Sequence, residues 1–314
     1  MGRLPERGLG NMTPKRTTLD PKLDIVFWML FGEERNRGLL ISLINAVLKL
    51  SVPIDTVEVL RSEPERSIVG DKAIALDVRA RLATGELVDI EMQSQRHPGL
   101  PERILYYWAR LYAGQLSRGD DYLALRRCAV VLFASFPMLV GRRFHSVFEA
   151  RERHDGELLT EQLEVHVLEL PKLTLGSARN DEPTLALWGK FLAATTDAEL
   201  EALAMEDPVL KQAKEALEGL SADPLARMRA EQRETALMGY RLGIGTAWHE
   251  GKAEGKAEGR VEGKAEVLRQ QVSLKFGGLP DSAAQRIATA SEAELDVWIG
   301  RVLTADSVAS LFAP

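Results

Sequence analysis

The order of predicted strands and helices in the first half of the chain constrains the fold most strongly. Three segments, 56–60, 73–82 and 86–93, alternate between apolar and polar residues, which is typical of strands. A helical pattern covers 101–118, and the continuous apolar run at 129–136 is typical of a strand covered on both faces. Because a strand, a helix and a second strand in one sheet require a crossover connection, we expect the last two strands to be parallel.

Further signals extend this arrangement on both sides. Asp20 and Pro21 predict the start of a helix that ends at Gly32, and apolar residues at helical spacing predict a second helix over 39–48. Another alternating segment, 163–170, predicts a further strand. The sequence therefore predicts an α/β fold, a sandwich with a mixed sheet, followed by a helical C-terminal region.

Length and composition allow more than one folded unit. With 314 residues, of which 45% are apolar, the chain can form one large domain and a smaller second unit. The expected segments are a disordered basic arm (1–18), the α/β domain (19–180), a helical extension (181–249), a charged repeat (250–266) and a small helical module (267–314).

Charge and cysteine content exclude several classes of protein. A net charge of −6 argues against a protein coated in basic residues, although it leaves room for local basic clusters. The single cysteine, Cys128, excludes an internal disulfide and indicates a buried thiol in a reducing compartment. No apolar stretch reaches the roughly 18 residues of a membrane span, and no signal-peptide pattern opens the chain. We therefore expect a cytoplasmic protein without membrane contact.

Acidic residues interrupt two of the predicted strands. The stretch LDVRARLATGELVDIEMQ carries Asp77, Asp89 and Glu91. A two-residue turn would put Asp77 and Glu91 on opposite faces, whereas a three-residue loop, Ala83–Gly85, sets them directly opposite each other on one face. The third position of such a loop needs a left-handed conformation, which Gly85 adopts readily. The loop chemistry therefore predicts that the two acids meet.

A divalent cation would relieve the repulsion between two acids that face each other at Cβ distances of about 5 Å. Mg²⁺ takes oxygen ligands and keeps several waters, and Mn²⁺ or Ca²⁺ are alternatives. The carbonyl oxygen of Met92 would add a third protein oxygen to those of Asp77 and Glu91. The amide of Gln93, which points the same way as Glu91, would orient a water or a phosphate oxygen.

A simpler interpretation needs no metal. Alternating charges on a hairpin usually mark a solvated sheet face, and Arg79 and Arg81 share the odd-numbered face and would neutralise the acids. The hairpin taken alone favours this interpretation, so the choice depends on the rest of the chain.

Longer stretches resemble one protein family. The acid on the second strand, the Glu-x-Gln on the third and the order of elements resemble the PD-(D/E)XK nuclease fold, specifically the Rpn-type recombination-promoting nucleases, also described as PD-(D/E)XK nuclease family transposases. No stretch is specific by itself, but together they cover most of residues 19–265 in the right order. They are LDPKLDIVFWMLFG (19–32), LDVRARLATGELVDIEMQ (76–93), RILYYWARLYAGQLSRGDDY (103–122), FHSVFEARERHDGELLTEQLEVHVLELPKL (144–173) and the EGKAEG tract.

The resemblance implies metal-dependent DNA cleavage by a restriction-endonuclease-like core. Asp77 and Glu91 match the metal-binding acids of the family, and Gln93 stands where the broader superfamily has lysine. Glutamine cannot supply the positive charge that lysine gives to the attacking water or the transition state. The implied catalytic set is therefore Asp77, Glu91 and Gln93, with a metal ion but without a lysine.

Other polar residues are candidates for contacts with DNA. Arg103, Tyr106 and Arg110 are spaced i, i+3 and i+7, so they would share a helix face that meets phosphates. Asp24 is either a surface or capping residue or an additional acid of the site. Structural roles are expected for the histidines that lack zinc-like spacing, which are His145, His154, His166 and His249.

Residues 250–266 form a four-residue repeat, EGKAEGKAEGRVEGKAE. Each glycine costs a helix about 1 kcal/mol against alanine, and like charges recur at i, i+4, so a lone helix is unfavourable. In one interpretation the chain forms a homodimer through 250–266, where glycines let two helices approach and opposite charges pair between chains. In the other, the repeat is a flexible charged linker.

Three functions are consistent with the sequence. The first is a Mg²⁺-dependent DNA endonuclease acting in recombination, mobile-element biology or phage defence. The second is a catalytically degenerate nuclease-fold protein that binds DNA or assists assembly. The third is an α/β scaffold with no nucleic-acid role, which predicts no salt-sensitive DNA binding.

Overall fold

The computed structural model describes residues 16–60, 78–173 and 182–313. The chain divides into two compact units, residues 1–236 and 237–314. Residues 1–15 of the predicted basic arm lie outside the described residues. The guanidinium of Arg16 donates to the carbonyl of Ala194 at 2.8 Å, so the described chain is tied down from its first residue.

A mixed sheet forms the centre of the first unit, as the sequence predicts, and it has six strands. Its order is β1-β2-β3-β4-β6-β5. The β3–β4 and β4–β6 pairs are parallel, and the other pairs are antiparallel. The strands are β1 (Val57–Leu60), β2 (Val78–Leu82), β3 (Leu87–Gln93), β4 (Cys128–Ala134), β5 (His145–Glu149) and β6 (Leu163–Glu169).

Helices cover the sheet and make up the described part of the second unit. The longest, α7, runs through the boundary between the units. The ten α-helices of the described residues are α1 (Asp24–Phe31), α2 (Arg37–Leu48), α3 (Leu100–Ala113), α4 (Pro183–Ala193), α5 (Asp197–Glu206), α6 (Pro208–Ala222), α7 (Pro224–Phe276), α8 (Asp281–Ala288), α9 (Glu292–Arg301) and α10 (Val308–Leu311). None of these helices combines the length and the apolar character that a membrane span requires.

Two predicted helix boundaries are wrong for local reasons. The first helix begins at Asp24 rather than at Asp20, because the Asp20 carboxylate accepts from the Lys22 N–H and holds a turn there. The crossover helix ends at Ala113 rather than at 118. The side chain of Gln115 bonds both backbone groups of Arg126, at 2.8 and 2.9 Å, which turns the chain away.

The strand β5 is absent from the sequence prediction. It pairs antiparallel with β6 at the edge of the sheet. Its sequence, HSVFE, has neither the alternation of β2 and β3 nor the apolar run of β4. It is held instead by polar contacts, in which Nε2 of His145 lies 2.9 Å from Nδ1 of His166.

The histidine pair of β5 and β6 has carboxylates at both ends. Nδ1 of His145 lies 2.9 Å from Glu182, and Nε2 of His166 lies 2.9 Å from Glu164. Burial is the main cause that lowers the pKa of His145. Among the described residues, no group of three or more His, Cys, Asp or Glu side chains is arranged to hold a metal ion. A structural role for the two histidines stays a prediction.

Helices pack on both faces of the sheet. On one face, Leu100 and Ile104 of α3 join Val130, Leu132 and Val167 in a buried apolar cluster. The thiol of the neighbouring Cys128 is buried, and burial raises its pKa to about 12.

On the opposite face, α1 is the central helix. The ring centroid of Phe27 lies 6.1 Å from that of Phe133 on β4, and the centroid of Phe31 lies 5.4 Å from that of Trp188 on α4. The acid-bearing strand β3 is therefore enclosed between two helical layers.

The described part of the second unit has its own core. The repeat at 250–266 lies within helix α7, and no atom comes within 4 Å of a Cβ built on Gly251, Gly255, Gly259 or Gly263. Lys264 pairs with Glu292 and Asp296 of α9 within the same chain. The core residues are Ala265, Leu268, Val272, Ala283, Ile287, Leu295, Trp298, Val302, Leu311 and Phe312.

Two helical glycines give a matched test of the packing around α4. A Cβ on Gly189 would overlap Leu173 and lie 2.7 Å from Cζ of Phe144, whereas a Cβ on Gly219 of α6 would meet nothing within 4 Å. We expect Gly189→Ala to lower the free energy of unfolding by about 1–3 kcal/mol through overpacking. Gly219→Ala should raise it by about 0.5–1 kcal/mol. Urea unfolding of both variants checks this, and equal effects would contradict the packing.

Candidate active site

The β2–β3 hairpin has the register that the sequence predicts. Val78 lies opposite Ile90 and Arg79 opposite Asp89. The loop has three residues, 83–85, and Gly85 takes a φ of 90°. The N–H of Gly85 donates to the carbonyl of Leu82 at 2.9 Å and closes the loop. Asp77, which the same register would set opposite Glu91, lies outside the described residues.

Three polar side chains line one face of β3. Asp89, Glu91 and Gln93 alternate with apolar residues and therefore point the same way. Their exposed fractions are 0%, 1% and 8%. In the parallel pair, Asp89 lies beside Val130 and Glu91 beside Leu132, and both apolar residues belong to the cluster under α3. The acids therefore lie on the sheet face that α3 covers.

Two arginines approach the buried acids without closing tight ion pairs. Nε of Arg79 lies 3.5 Å from Oδ2 of Asp89, and Nη2 of Arg103, at the start of α3, lies 3.7 Å from Oε2 of Glu91. A further polar contact lies within the strand, where Nε2 of Gln93 donates to Oε2 of Glu91 at 3.2 Å.

The carboxylates of this face lack most of the hydrogen bonds that buried acids normally have. Among the described residues, no donor forms a hydrogen bond to either carboxylate oxygen of Asp89 or to Oε1 of Glu91. Burial raises the pKa of both groups, and the charge of Asp89 raises that of Glu91 further. Buried polar atoms without partners cost free energy, so these acids destabilise the fold.

Glu169 shows how a buried acid is satisfied in the same fold. It is 0% exposed, yet Oε1 accepts from the N–H of Leu139 at 3.0 Å and Oε2 pairs with Lys172. The chain can therefore satisfy a buried acid completely, which it does not do for Asp89 and Glu91. This contrast is what singles out the β3 face as a candidate functional site.

The predicted DNA-contacting residues separate into two groups. Arg103 is directed to the β3 face and its guanidinium carbon lies 5.7 Å from the ring centroid of Tyr107. Tyr106 is 57% exposed, and the guanidinium carbon of Arg110 lies 5.9 Å from its ring centroid. The three residues therefore differ in their surroundings, and their contact with DNA stays a prediction.

Asp24 is a structural residue in the described chain. Its two carboxylate oxygens lie 2.9 and 3.0 Å from Nε of Arg233 on α7, and both side chains are largely buried. The pair joins α1 to the part of α7 that belongs to the first unit. The interpretation of Asp24 as a mere surface or capping residue is therefore incomplete.

The described chain also adds residues that the sequence prediction leaves out of the site. Asp89 follows the same alternation as Glu91, and the register that pairs it with Arg79 was available from the loop length. The contact between Arg103 and Glu91 had no local signal, because it depends on how α3 packs on the sheet.

A comparison with protein families decides the identity of the fold. The model of the family described as PD-(D/E)XK nuclease family transposase matches residues 21–247. The chain belongs to this family. No curated protein and no solved structure matches it. Membership supports a nuclease-like or transposase-related function, with DNA as the partner, and PD-(D/E)XK nucleases generally use divalent metal ions.

The β3 face of this PD-(D/E)XK protein suits a hard divalent cation. Its donors are carboxylate oxygens, which are the ligands that Mg²⁺, Mn²⁺ and Ca²⁺ prefer. The oxygens without hydrogen-bond partners would gain most from a cation, which would also favour their ionised form. Met92 points its side chain to the other face, and the role of its carbonyl oxygen stays a prediction.

The raised pKa of Glu91 gives a test of the metal-free site. A raised pKa means that the folded protein favours the neutral acid, so stability is lost as the pH rises through the folded-state pKa. Glu91→Gln copies the neutral form. We expect it to raise the free energy of unfolding by about 1–3 kcal/mol at about pH 8 in EDTA, and to change little at about pH 5.

Glu58→Gln on β1 is the matched control, because Glu58 is exposed and pairs with Arg81 only at the surface. It should change stability by less than about 0.5 kcal/mol at either pH. Urea unfolding at the two pH values measures both variants. A Glu91→Gln protein less stable than wild type at about pH 8 would contradict the strained site.

Proposed function

We propose that the protein is a metal-dependent DNA endonuclease that hydrolyses phosphodiester bonds. The observation that carries the proposal is the set of buried carboxylate oxygens on β3 that have no hydrogen-bond partner among the described residues, in a chain of a nuclease family. Asp77 and Glu91 would hold the ion, Mg²⁺ first among the candidates, with the carbonyl of Met92. Gln93 completes the catalytic set.

Some residues of the proposed site would bind the metal ion, and others would orient the attacking water. When bound, the divalent ion supplies an activated water and polarises the scissile phosphate. The carboxylate of Glu91 is held in place by the hydrogen bond that it accepts from Gln93, and the amide oxygen of Gln93 remains to accept a hydrogen bond from the attacking water and align it. The dry surroundings of β3 strengthen these electrostatic contacts, because the local dielectric is low.

A DNA-binding or assembly protein without catalysis is the second candidate. Gln93 carries no charge, and Glu91 is only 1% exposed, so a substrate must displace covering groups to reach it. A degenerate protein would bind DNA without divalent ions and never cut it. Metal dependence therefore separates the two candidates.

Plasmid nicking by the purified protein is the direct test. We expect cleavage with Mg²⁺, none with EDTA, and a loss of at least about 100-fold in Asp77→Asn and Glu91→Gln. Because Glu91→Gln is expected to be the more stable protein, its inactivity cannot be attributed to unfolding. Glu58→Gln should cut like wild type. Cleavage that survives both site substitutions would rule out this site.

The exposed pair of Tyr106 and Arg110 is the proposed surface for the DNA backbone. An aromatic ring beside a guanidinium suits a phosphate with an adjacent base or sugar. We expect Arg110→Ala to weaken duplex binding and to reduce the slope of log affinity against log salt by about 1. Arg118→Ala removes an exposed arginine just beyond α3 and serves as the control. Equal slopes for the two variants would exclude a specific role for Arg110.

The wider role remains a set of predictions that rest on the family. Recombination, mobile-element biology and phage defence are the processes we propose, in a cytoplasmic setting. Self-association through 250–266 is also a prediction. The open glycine positions of α7 leave room for a second helix, whereas Arg260 and Lys264 already pair with α9 in the same chain. Any dimer must therefore use the other basic residues of the repeat.

A further inference from the structure

We propose that Arg103 is a catalytic residue that contacts the scissile phosphate and supplies the positive charge that Gln93 lacks. The proposal rests on the proposed nuclease function. It assigns Arg103 to the reacting centre. The helical spacing alone would instead place Arg103 with Tyr106 and Arg110 as a contact to the DNA backbone.

The guanidinium of Arg103 is held at the site with unused donors. Nη2 lies 3.7 Å from Oε2 of Glu91, which is too long for a hydrogen bond. Nε and Nη2 are both buried, and neither has an acceptor among the described residues. The ring of Tyr107 supports the group from one side, at 5.7 Å from the guanidinium carbon. Two buried donors on one planar group match two oxygens of a phosphate.

Beside the divalent ion, the proposed reaction gains from a positive side chain aimed at the phosphate, and β3 does not contain one. Hydrolysis forms a bond between the water oxygen and phosphorus and breaks the bond between phosphorus and the leaving oxygen. The leaving oxygen takes up a proton released by the water, and the other product carries the phosphate. Negative charge grows on the phosphate oxygens during this exchange, and donors aimed at them lower the barrier. Asp89, Glu91 and Gln93 include no positive group.

Arg79 is the other arginine beside the two acids, and its position suits a contact with the scissile phosphate less. Its Nε faces Asp89, which is 0% exposed and needs a neutralising partner. Arg103 lies instead beside Glu91, the acid proposed to hold the ion, and it keeps 28% of its side chain exposed. The side chain of Arg79 is 37% exposed, so an incoming strand can reach both arginines. The position beside the acid proposed to hold the ion is what singles out Arg103.

Charge counting agrees with this assignment. When a bound cation keeps both acids ionised, the charges of Asp89 and Glu91 are balanced by the two guanidiniums, Arg79 and Arg103. The divalent ion then leaves this face with a net charge of about +2, which favours an anionic phosphodiester. Without Arg103 that net charge would fall to about +1.

The test is single-turnover cleavage of a labelled duplex with Mg²⁺ by four variants. We expect Arg103→Met to slow cleavage by about 100-fold or more, and Arg103→Lys to keep part of the rate. Gln93→Lys combined with Arg103→Met should recover at least about 10-fold, because the side chain at 93 contacts the Glu91 carboxylate at 3.2 Å and would bring an ammonium there. Arg118→Met, a surface control, should cut like wild type.

A structural role for Arg103 would give different results. It would lower the unfolding temperature in parallel with the rate, and a lysine at 93 would not restore cleavage. Wild-type rates in Arg103→Met, or no recovery in the double variant, would overturn the proposal.

Duplex binding separates this proposal from the proposed function. With Ca²⁺ present, Arg103→Met should weaken binding about 10-fold and Arg118→Met should not. If wild type never cuts but this loss is seen, the nuclease proposal fails and Arg103 remains a phosphate contact. If wild type cuts and Arg103→Met binds and cuts normally, the nuclease proposal stands and the assignment of Arg103 is wrong.

Discussion

Two acids buried side by side on a central strand set the main constraint on this structure. Asp89 and Glu91 lie on β3, which is paired on both edges and covered on both faces. A carboxylate in such a place must be neutralised, protonated or given donors. The fold brings in Arg79 from the neighbouring strand and Arg103 from the helix above, at 3.5 Å from Asp89 and 3.7 Å from Glu91. The surrounding apolar layers must therefore supply the stability that the acids remove.

This arrangement separates the parts of the fold that stabilise from the part that reacts. Phe27, Phe31 and Trp188 form an aromatic cluster on one side, and Glu169 with Lys172 closes a loop with its polar atoms satisfied. The β3 face lies between these well-packed regions and is the one place where buried carboxylates are left without donors in the described chain. A rigid frame around a strained polar face is what preorganised chemistry requires.

Local chemistry explains why much of this was predictable. The period of two in 86–93, the three-residue loop with Gly85 and the apolar run of β4 are each visible in a few neighbouring residues, and they fixed the hairpin register and the parallel crossover. The contact between Arg103 and Glu91 could not be predicted in this way, because it depends on how α3 packs on the sheet. Side chains on a helix lean toward its N-terminus, so an arginine in the first turn of α3 reaches back toward β3. The edge strand β5 was not predicted because polar side-chain pairs hold it, and such pairs produce no periodic pattern in the sequence.

The three-residue loop before β3 also bears on how such a chain can diverge. Residues of a strand alternate between faces, so one inserted or deleted residue at 83–85 would move Arg79 to the far side of the sheet from Asp89. A change of two residues would keep the faces and alter only the turn. Descendants of this sequence should therefore tolerate length changes here in even steps, or absorb an odd one as a β-bulge. The length of a surface loop is thus inherited together with the chemistry of a buried strand.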